Sequence, residues 1–197
     1  MKKKIAFDAV LASKADIRKF SLKTRNSLSK KQIKSKSAAI AKKLFSLPEF
    51  KKADVIFTYV SFGSEVGTHE IIKKSLALGK TVAVPVADFK KRKLIPVEFT
   101  SFSALKKSRF GVPEPDLKKS RKIPASSIDL IIVPGVAFDL KRNRIGYGKG
   151  FYDGFLSRNS GIKNVAFAFG LQIFRKIPSG KADMKVMKIL GEKRTIV

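Results

Sequence analysis

A short apolar run, Ile128-Asp129-Leu130-Ile131-Ile132-Val133-Pro134, is followed ten residues on by Arg144-Ile145-Gly146-Tyr147-Gly148-Lys149-Gly150-Phe151-Tyr152-Asp153. The run reads as a buried strand, and Phe151 to Arg158 reads as a helix. The glycines at 146, 148 and 150 therefore mark the place where a strand hands over to a helix N-terminus. Glycine at alternate positions leaves the backbone free to take positive φ and to approach a ligand closely. Successive N–H groups in such a loop make a concavity that suits phosphate oxygens. The helix N-terminus favours the same anions. Arg144 and Lys149 add positive charge, one as a planar fork and the other as a point charge. By spacing alone the segment is equally a glycine-rich turn with a few basic residues, because Gly-x-Gly patterns are common.

The rest of the chain supplies strands and helices in alternation. Residues 14–28 read as a basic helix in which Lys14 and Arg18, four apart, share a face. Ser29 is a fit N-cap for a second helix with Ile33, Ser37, Ile40 and Leu44 on its inner stripe, ended near Pro48. Asp54 to Val60 is rich in β-branched and aromatic residues and reads as a strand. It runs into a loop carrying Glu65, after which Thr68 can cap a helix from His69 to Leu78, closed by Gly79. Thr81 to Ala87 is a further strand, which completes a βαβ unit. Leu94 to Thr100 reads as a short or edge strand containing Pro96, and Ser103 to Ser108 as a helical turn. Gly111-Val112-Pro113-Glu114-Pro115 is held extended by its prolines. Asn164 to Gly170 and Met184 to Leu190 read as the last two strands. The expected fold is α/β, a three-layer sandwich with a mostly parallel open sheet and helices on both faces, Rossmann-like, in one domain spanning 1–197. Ligand contacts in such sheets lie in loops at the carboxyl ends of strands, where Glu65 and the glycine segment both fall.

Composition narrows the chemistry. No cysteine is present, so disulfides and thiolate metal sites are excluded, and the single histidine, His69, removes any site built on several imidazoles. His69 is expected at a solvated helix start without a role. No apolar run approaches the roughly 20 residues needed to span a bilayer. The start, Met1-Lys2-Lys3-Lys4 before Ile5 to Ala12, has a faint signal-peptide look that Asp8 interrupts. A cytoplasmic protein is the simplest expectation. The formal charge of +28 attracts polyanions, and nucleic acid is the first suspect. The lysines are scattered from end to end, however, and no zinc-finger spacing, aromatic RNP-like run or basic heptad helix occurs. Nucleic acid is therefore not expected beyond non-specific attraction.

The combination Pro134-Gly135-x-Ala137-Phe138-Asp139 followed by Arg144-Ile145-Gly146-x-Gly148-Lys149-Gly150-Phe151-Tyr152-Asp153 resembles the 5-formyltetrahydrofolate cyclo-ligase family, also called 5,10-methenyltetrahydrofolate synthetases. Lys14 with Arg18, Glu65-Val66-x-Thr68, Gly111-Val112-Pro113-Glu114-Pro115 and Asp183-Met184-Lys185-Val186 agree, in the family's order, over nearly the whole chain. The resemblance implies an ATP- and Mg²⁺-dependent conversion of 5-formyltetrahydrofolate to 5,10-methenyltetrahydrofolate with release of ADP and phosphate. It implies ATP contacts from Lys14, Arg18 and the loop Arg144, Ile145, Gly146, Tyr147, Gly148, Lys149, Gly150, Phe151 and Tyr152. Arg144 and Lys149 would be the catalytic cations. Folate contacts would come from Val60, Glu65 and the same loop from Tyr147 to Phe151, and Mg²⁺ would be held by Asp153 and Asp183. A monomer working on small-molecule substrates is expected.

Tyr147 stands where some members of the family have arginine, Met187 where an aspartate is frequent, and Gly67 where an acidic residue is usual. The implied chemistry needs no serine, cysteine or histidine nucleophile, because the folate brings both nucleophiles itself. Phosphoryl transfer rests mainly on positioning and on cations and N–H groups. The residues alone also admit an isomerase or transferase for phosphorylated or CoA-linked metabolites, since such sheets host many activities.

Overall fold

A computed structural model describes residues 13–108 and 111–197; the basic and apolar start of the chain, residues 1–12, lies outside them. The helices are α1 (Lys14–Asn26), α2 (Lys30–Ser46), α3 (Pro48–Lys52), α4 (His69–Ala77) and α5 (Phe151–Arg158). The first strands are β1 (Val55–Thr58), β2 (Thr81–Asp88), β3 (Lys93–Glu98), β4 (Leu105–Lys107), β5 (Pro113–Pro115) and β6 (Leu130–Val133). Then come β7 (Ala137–Asp139), β8 (Arg144–Ile145), β9 (Lys163–Ala168), β10 (Ile173–Phe174), β11 (Lys188–Gly191) and β12 (Thr195–Ile196).

The main sheet runs β12-β11-β9-β6-β1-β2-β3. Its five inner strands are parallel, and an antiparallel strand closes each edge. Strand β6 is central, and its residues Leu130, Ile131, Ile132 and Val133 are all fully buried, as a strand covered on both faces must be. Because side chains alternate along a strand, Ile56, Leu130, Ile132, Val165 and Phe167 meet Ile40, Leu44, Phe50 and Ile71 of helices α2, α3 and α4. The opposite set, Phe57, Ile131, Val133, Ala166 and Ala168, packs with Phe155 and Leu156 of α5. Helices thus cover both faces, as the alternating pattern requires. Pro96 does sit on an edge strand, directly across from Pro85, so neither missing N–H interrupts a central ladder. No described helix is long and apolar enough to cross a membrane.

Three local expectations fail. Residues 103–108 do not form a helical turn; β4 pairs antiparallel with β5. Phe102 is anchored against Phe99 and His69 rings, each with centroids 4.8 Å away. The prolines of β5 hold the partner strand extended, so pairing wins over the weak local helix signal. Thr68 does not cap α4 with its side chain. Its hydroxyl donates to the Tyr59 carbonyl at 2.8 Å and accepts from Ser61 N at 2.9 Å, stitching the loop after β1 instead. At the C-terminus the strand begins only at Lys188, and β12 was not anticipated.

A second, three-stranded sheet, β10-β7-β8, carries the glycine segment. Its hairpin is knotted by fully buried Asp139. That carboxylate accepts from Lys141 N and Asn143 N at 2.9 Å, Asn143 Nδ2 at 2.8 Å and Ile177 N at 3.1 Å. Satisfying four donors offsets the cost of burying the charge. Ile17 of α1 packs on Ala137, Ile145 and Ile177 of this unit. That contact lays the N-terminal helix beside the glycine segment.

Candidate functional site

A cavity of about 580 Å³ opens where α1, the loop after β1, the glycine segment and the β5 strand converge. Lys14, Arg18, Val60, Glu65, every residue from Arg144 to Asp153, and Asp183 line it. All the binding, catalytic and metal-site residues expected from the sequence therefore meet in one place, although they come from four separate stretches of chain.

The glycine segment takes the backbone forms that favour glycine. Gly148 has φ +94° and Gly150, which opens α5, has φ +69°. A Cβ on Gly146 would come within 2.8 Å of Arg144 Nη1, and one on Gly148 within 3.4 Å of Arg18 Nη2. The loop is thus drawn close over two guanidinium groups. Arg18 Nε donates to the Gly146 carbonyl at 2.8 Å, and this fixes the loop to α1. Helix α1 is itself started by a capping box between Ser13 and Asp16.

The cations differ in freedom. Arg144 is 5 % exposed and donates from Nη2 to Asp153 Oδ1 at 2.8 Å and from Nη1 to the Pro134 carbonyl at 3.4 Å. Its Nε is buried with no partner, beside Tyr152, whose hydroxyl is likewise buried and unpaired. These two orphaned groups lie on the cavity wall. Lys14 pairs with Asp183, which also accepts from Gly180 N. Lys149 is exposed at the rim and makes no ion pair among the described residues.

Asp153 Oδ1 accepts from both Arg144 and Met184 N, the latter at 3.1 Å. Asp183 uses Oδ2 for its two partners. The other oxygen of each carboxylate accepts no hydrogen bond among the described residues. Burial opposes ionisation of Asp183, but the hydrogen bonds from Lys14 and Gly180 N and the charges of Lys14 and Arg144 hold its carboxyl below the ordinary value. No group of three or more metal-ligating side chains occurs among the described residues. Two hard oxygens beside a phosphate-sized loop nevertheless suit Mg²⁺, which takes one or two carboxylates and completes its shell with phosphate and water.

Glu65 is 6 % exposed at the far side of the cavity. Its Oε2 accepts from Phe62 N at 3.2 Å and its Oε1 from the Tyr147 hydroxyl at 2.7 Å. That hydroxyl accepts in turn from Arg25 Nη2 at 2.9 Å, and Arg25 Nε donates to Ser64 Oγ at 3.0 Å. Burial pushes the Glu65 carboxyl up, while the Tyr147 hydrogen bond, the Arg25 charge and the Phe62 N–H pull the other way. Burial also pushes the Tyr147 hydroxyl up. Tyr147 stacks on Phe62 with centroids 6.4 Å apart, which makes a flat apolar surface next to the carboxylate.

Sequence reasoning missed Arg25 and the apolar wall. Arg25 lies seven residues after Arg18, two helical turns along one face, so the helical period carried its signal. Of that wall, Val112 stands in the motif from Gly111 to Pro115, whereas Pro85, Ala87, Phe89 and Leu94 had no signal, because they come together from β2, β3 and the turn between them. His69 is not simply solvated: its Nδ1 lies 3.0 Å from Ser61 Oγ, away from the cavity lining.

Residues 10–192 match the model of the 5-formyltetrahydrofolate cyclo-ligase family. The chain is 30 % identical to a probable 5-formyltetrahydrofolate cyclo-ligase of Caenorhabditis elegans, over 96 % of this chain and 97 % of that one. It is also 30 % identical to the 5-formyltetrahydrofolate cyclo-ligase of Haemophilus influenzae, over 85 % and 91 %. Among solved structures, the 5,10-methenyltetrahydrofolate synthetase of Aquifex aeolicus superposes with a TM-score of 0.80 at 31 % identity, covering 92 % of this chain and 91 % of that one.

Proposed function

The chain belongs to the 5-formyltetrahydrofolate cyclo-ligase family, ATP-dependent ligases of one-carbon metabolism, and from that premise we propose how its cavity turns 5-formyltetrahydrofolate into 5,10-methenyltetrahydrofolate. The carrying observation is that a glycine loop flanked by Arg18 and Lys149 faces the same cavity as the buried carboxylate of Glu65.

The loop from Arg144 to Tyr152 wraps the triphosphate, with N–H groups from Gly146 to Gly150 turned to its oxygens. Arg18 and Lys14 approach from α1, and Lys149 from the rim. Glu65 accepts paired hydrogen bonds from the ring N–H and exocyclic amine of the pterin, while Val60 and the Phe62–Tyr147 surface support its plane. Such a bound geometry puts the formyl oxygen in line with the γ-phosphorus. Transfer of the phosphoryl group to that oxygen breaks the bond to the β-phosphate bridge and leaves ADP. The formyl carbon then carries phosphate, a far better leaving group than oxide. N10 attacks that carbon, the C–O bond breaks with its electrons going to phosphate, and the N10 proton departs.

Arg144 and Lys149 stabilise the charge that spreads over the transferring group. Asp153 and Asp183 would hold magnesium, which would supply further neutralisation of the phosphate oxygens. One chain provides every one of these groups, which supports a monomer as the working unit. Mixing the protein with 5-formyltetrahydrofolate, ATP and Mg²⁺ should produce the methenyl absorbance together with one ADP and one phosphate per product. Product formation without ATP would overturn the reading.

A further inference from the structure

Cyclisation sheds a proton from N10 and leaves a cationic amidinium in the product, so the reacting centre calls for a carboxylate that is free to accept. Four carboxylates line the cavity: Glu65, Glu114, Asp153 and Asp183. Three are occupied, Glu65 by Tyr147 and Phe62, Asp153 by Arg144 and Met184, and Asp183 by Lys14 and Gly180. Glu114 accepts no hydrogen bond among the described residues. Its cross-strand partner is Lys106, but the Lys106 ammonium turns to Asp116 at 3.4 Å.

The placement of Glu114 is set by the backbone. Pro113 and Pro115 flank it and hold β5 extended, and β5 packs on β2. Half-buried Glu114 therefore faces the cavity beside Val112, Pro113, Ala87 and Leu94, in its least polar part. Phe89, on the same wall, meets Phe151 edge-on at 5.1 Å, which joins this wall to the end of the glycine loop. In the binding mode proposed above, with the pterin edge on Glu65 and the formyl oxygen toward the loop, the remaining arm of the folate, the C9 methylene followed by N10, would run along this apolar wall.

We infer that Glu114 is a catalytic residue that takes the proton from N10 as the N10–carbon bond forms and the carbon–phosphate bond breaks. The inference rests on the reaction course proposed above. The bond from N10 to carbon uses the nitrogen lone pair, phosphate leaves with the C–O electrons, and the N10–H proton ends on the Glu114 carboxylate. The resulting cationic product faces no second positive charge from this wall. Burial pushes the Glu114 carboxyl up, which makes its carboxylate a stronger proton acceptor than an exposed one.

The test is Glu114→Gln in the full chain, with Glu114→Ala as a second variant, measured for methenyl formation and ADP release together. Methenyl formation should fall about a hundredfold in E114Q, with the ATP KM within about twofold of wild type, because general base catalysis contributes about that much. The ratio of ADP to methenyl product should rise above one, since the activated formyl group then waits long enough to be hydrolysed. Added formate should restore part of the rate in E114A and none in wild type. An E114Q enzyme that keeps its rate with one ADP per product overturns the inference. So does a loss of rate that formate does not relieve and in which the ratio stays at one. If wild type itself makes no methenyl product from ATP and 5-formyltetrahydrofolate, the failure lies with the proposed reaction; a competent wild type beside an unaffected E114Q sinks Glu114 alone.

Discussion

Arg144 Nη2 and Asp153 Oδ1 meet at 2.8 Å, closing the glycine segment into a clasp between β8 and the first turn of α5. The arginine side chain is 3 % exposed and the aspartate side chain 22 %, so the pair is largely shielded from solvent. Removing one member of such a pair leaves the other charge stranded, which is costlier than the pair is stabilising. Arg144→Ala should therefore lower the unfolding free energy by about 3 kcal/mol. Arg144→Lys should lose less, keeping the charge but not the second donor to Pro134. Urea unfolding followed by circular dichroism measures both. A fall of less than about 0.5 kcal/mol in the alanine variant, the size of an ordinary surface substitution, would show that the clasp does not hold the loop.

Glu65 links stability to pH through its burial. Its folded-state carboxyl lies above the ordinary value, so the native state binds this proton more tightly than the unfolded chain does. The stabilisation from the protonated form is complete below the ordinary carboxylate value and is lost as pH rises through the raised one. The wild-type minus Glu65→Gln difference in unfolding free energy should fall over that window and flatten above it. Tyr147→Phe removes a hydrogen bond that favours the charged form, so the window should extend further upward. A difference that rises with pH would mean that the partners of Glu65 outweigh its burial.

Much of this arrangement was legible in the chain because it rests on local periodicity. The buried run at Leu130–Val133 and the helix from Phe151 follow from apolar spacing. The glycines at 148 and 150 sit where positive φ is required. The hairpin of β4 and β5 was not legible, because Phe102, just before it, is fixed against His69, which lies far back in the chain and leaves no local signature. The same holds within the site. Lys14, Arg18, Glu65 and Asp183 stand in recognisable motifs, whereas Arg25 reaches Tyr147 across 122 positions of sequence. Nor could spacing tell that Arg144 would be buried against Asp153 while Lys149 stands exposed at the rim.

Gly148 tests whether the loop's backbone form matters apart from its charges. At φ +94° any L side chain is strained, and a Cβ would also press on Arg18 Nη2 at 3.4 Å. Gly148→Ala should cost about 1–2 kcal/mol of stability. It should also raise the ATP KM, because the loop must rotate and Arg18 must give way. Gly150→Ala, with open space around its Cβ at φ +69°, should show the backbone cost without the push on Arg18. Isothermal titration with ATP separates the two. Equal nucleotide affinity in both variants would show that the Arg18 contact is not part of the nucleotide site.

Lys149 offers the cleanest probe of the nucleotide itself, since no ion pair among the described residues depends on it. Lys149→Ala should leave stability within about 0.5 kcal/mol of wild type, as for other exposed positions. Removing one cation from a triphosphate should reduce kcat/KM for ATP by about tenfold or more, equivalent to about 1.4 kcal/mol. Part of that loss should fall on kcat, because charge builds on the transferring phosphoryl group in the transition state. The affinity for 5-formyltetrahydrofolate should change much less, since the pterin is held from the Glu65 side. At the rim the lysine charge is open to screening, so the gap between variant and wild type should narrow as salt is raised. Steady-state kinetics at two salt concentrations measures all four effects. Unchanged ATP kinetics, or a loss confined to folate binding, would take Lys149 out of the triphosphate site and leave Arg18 as the cation to examine next.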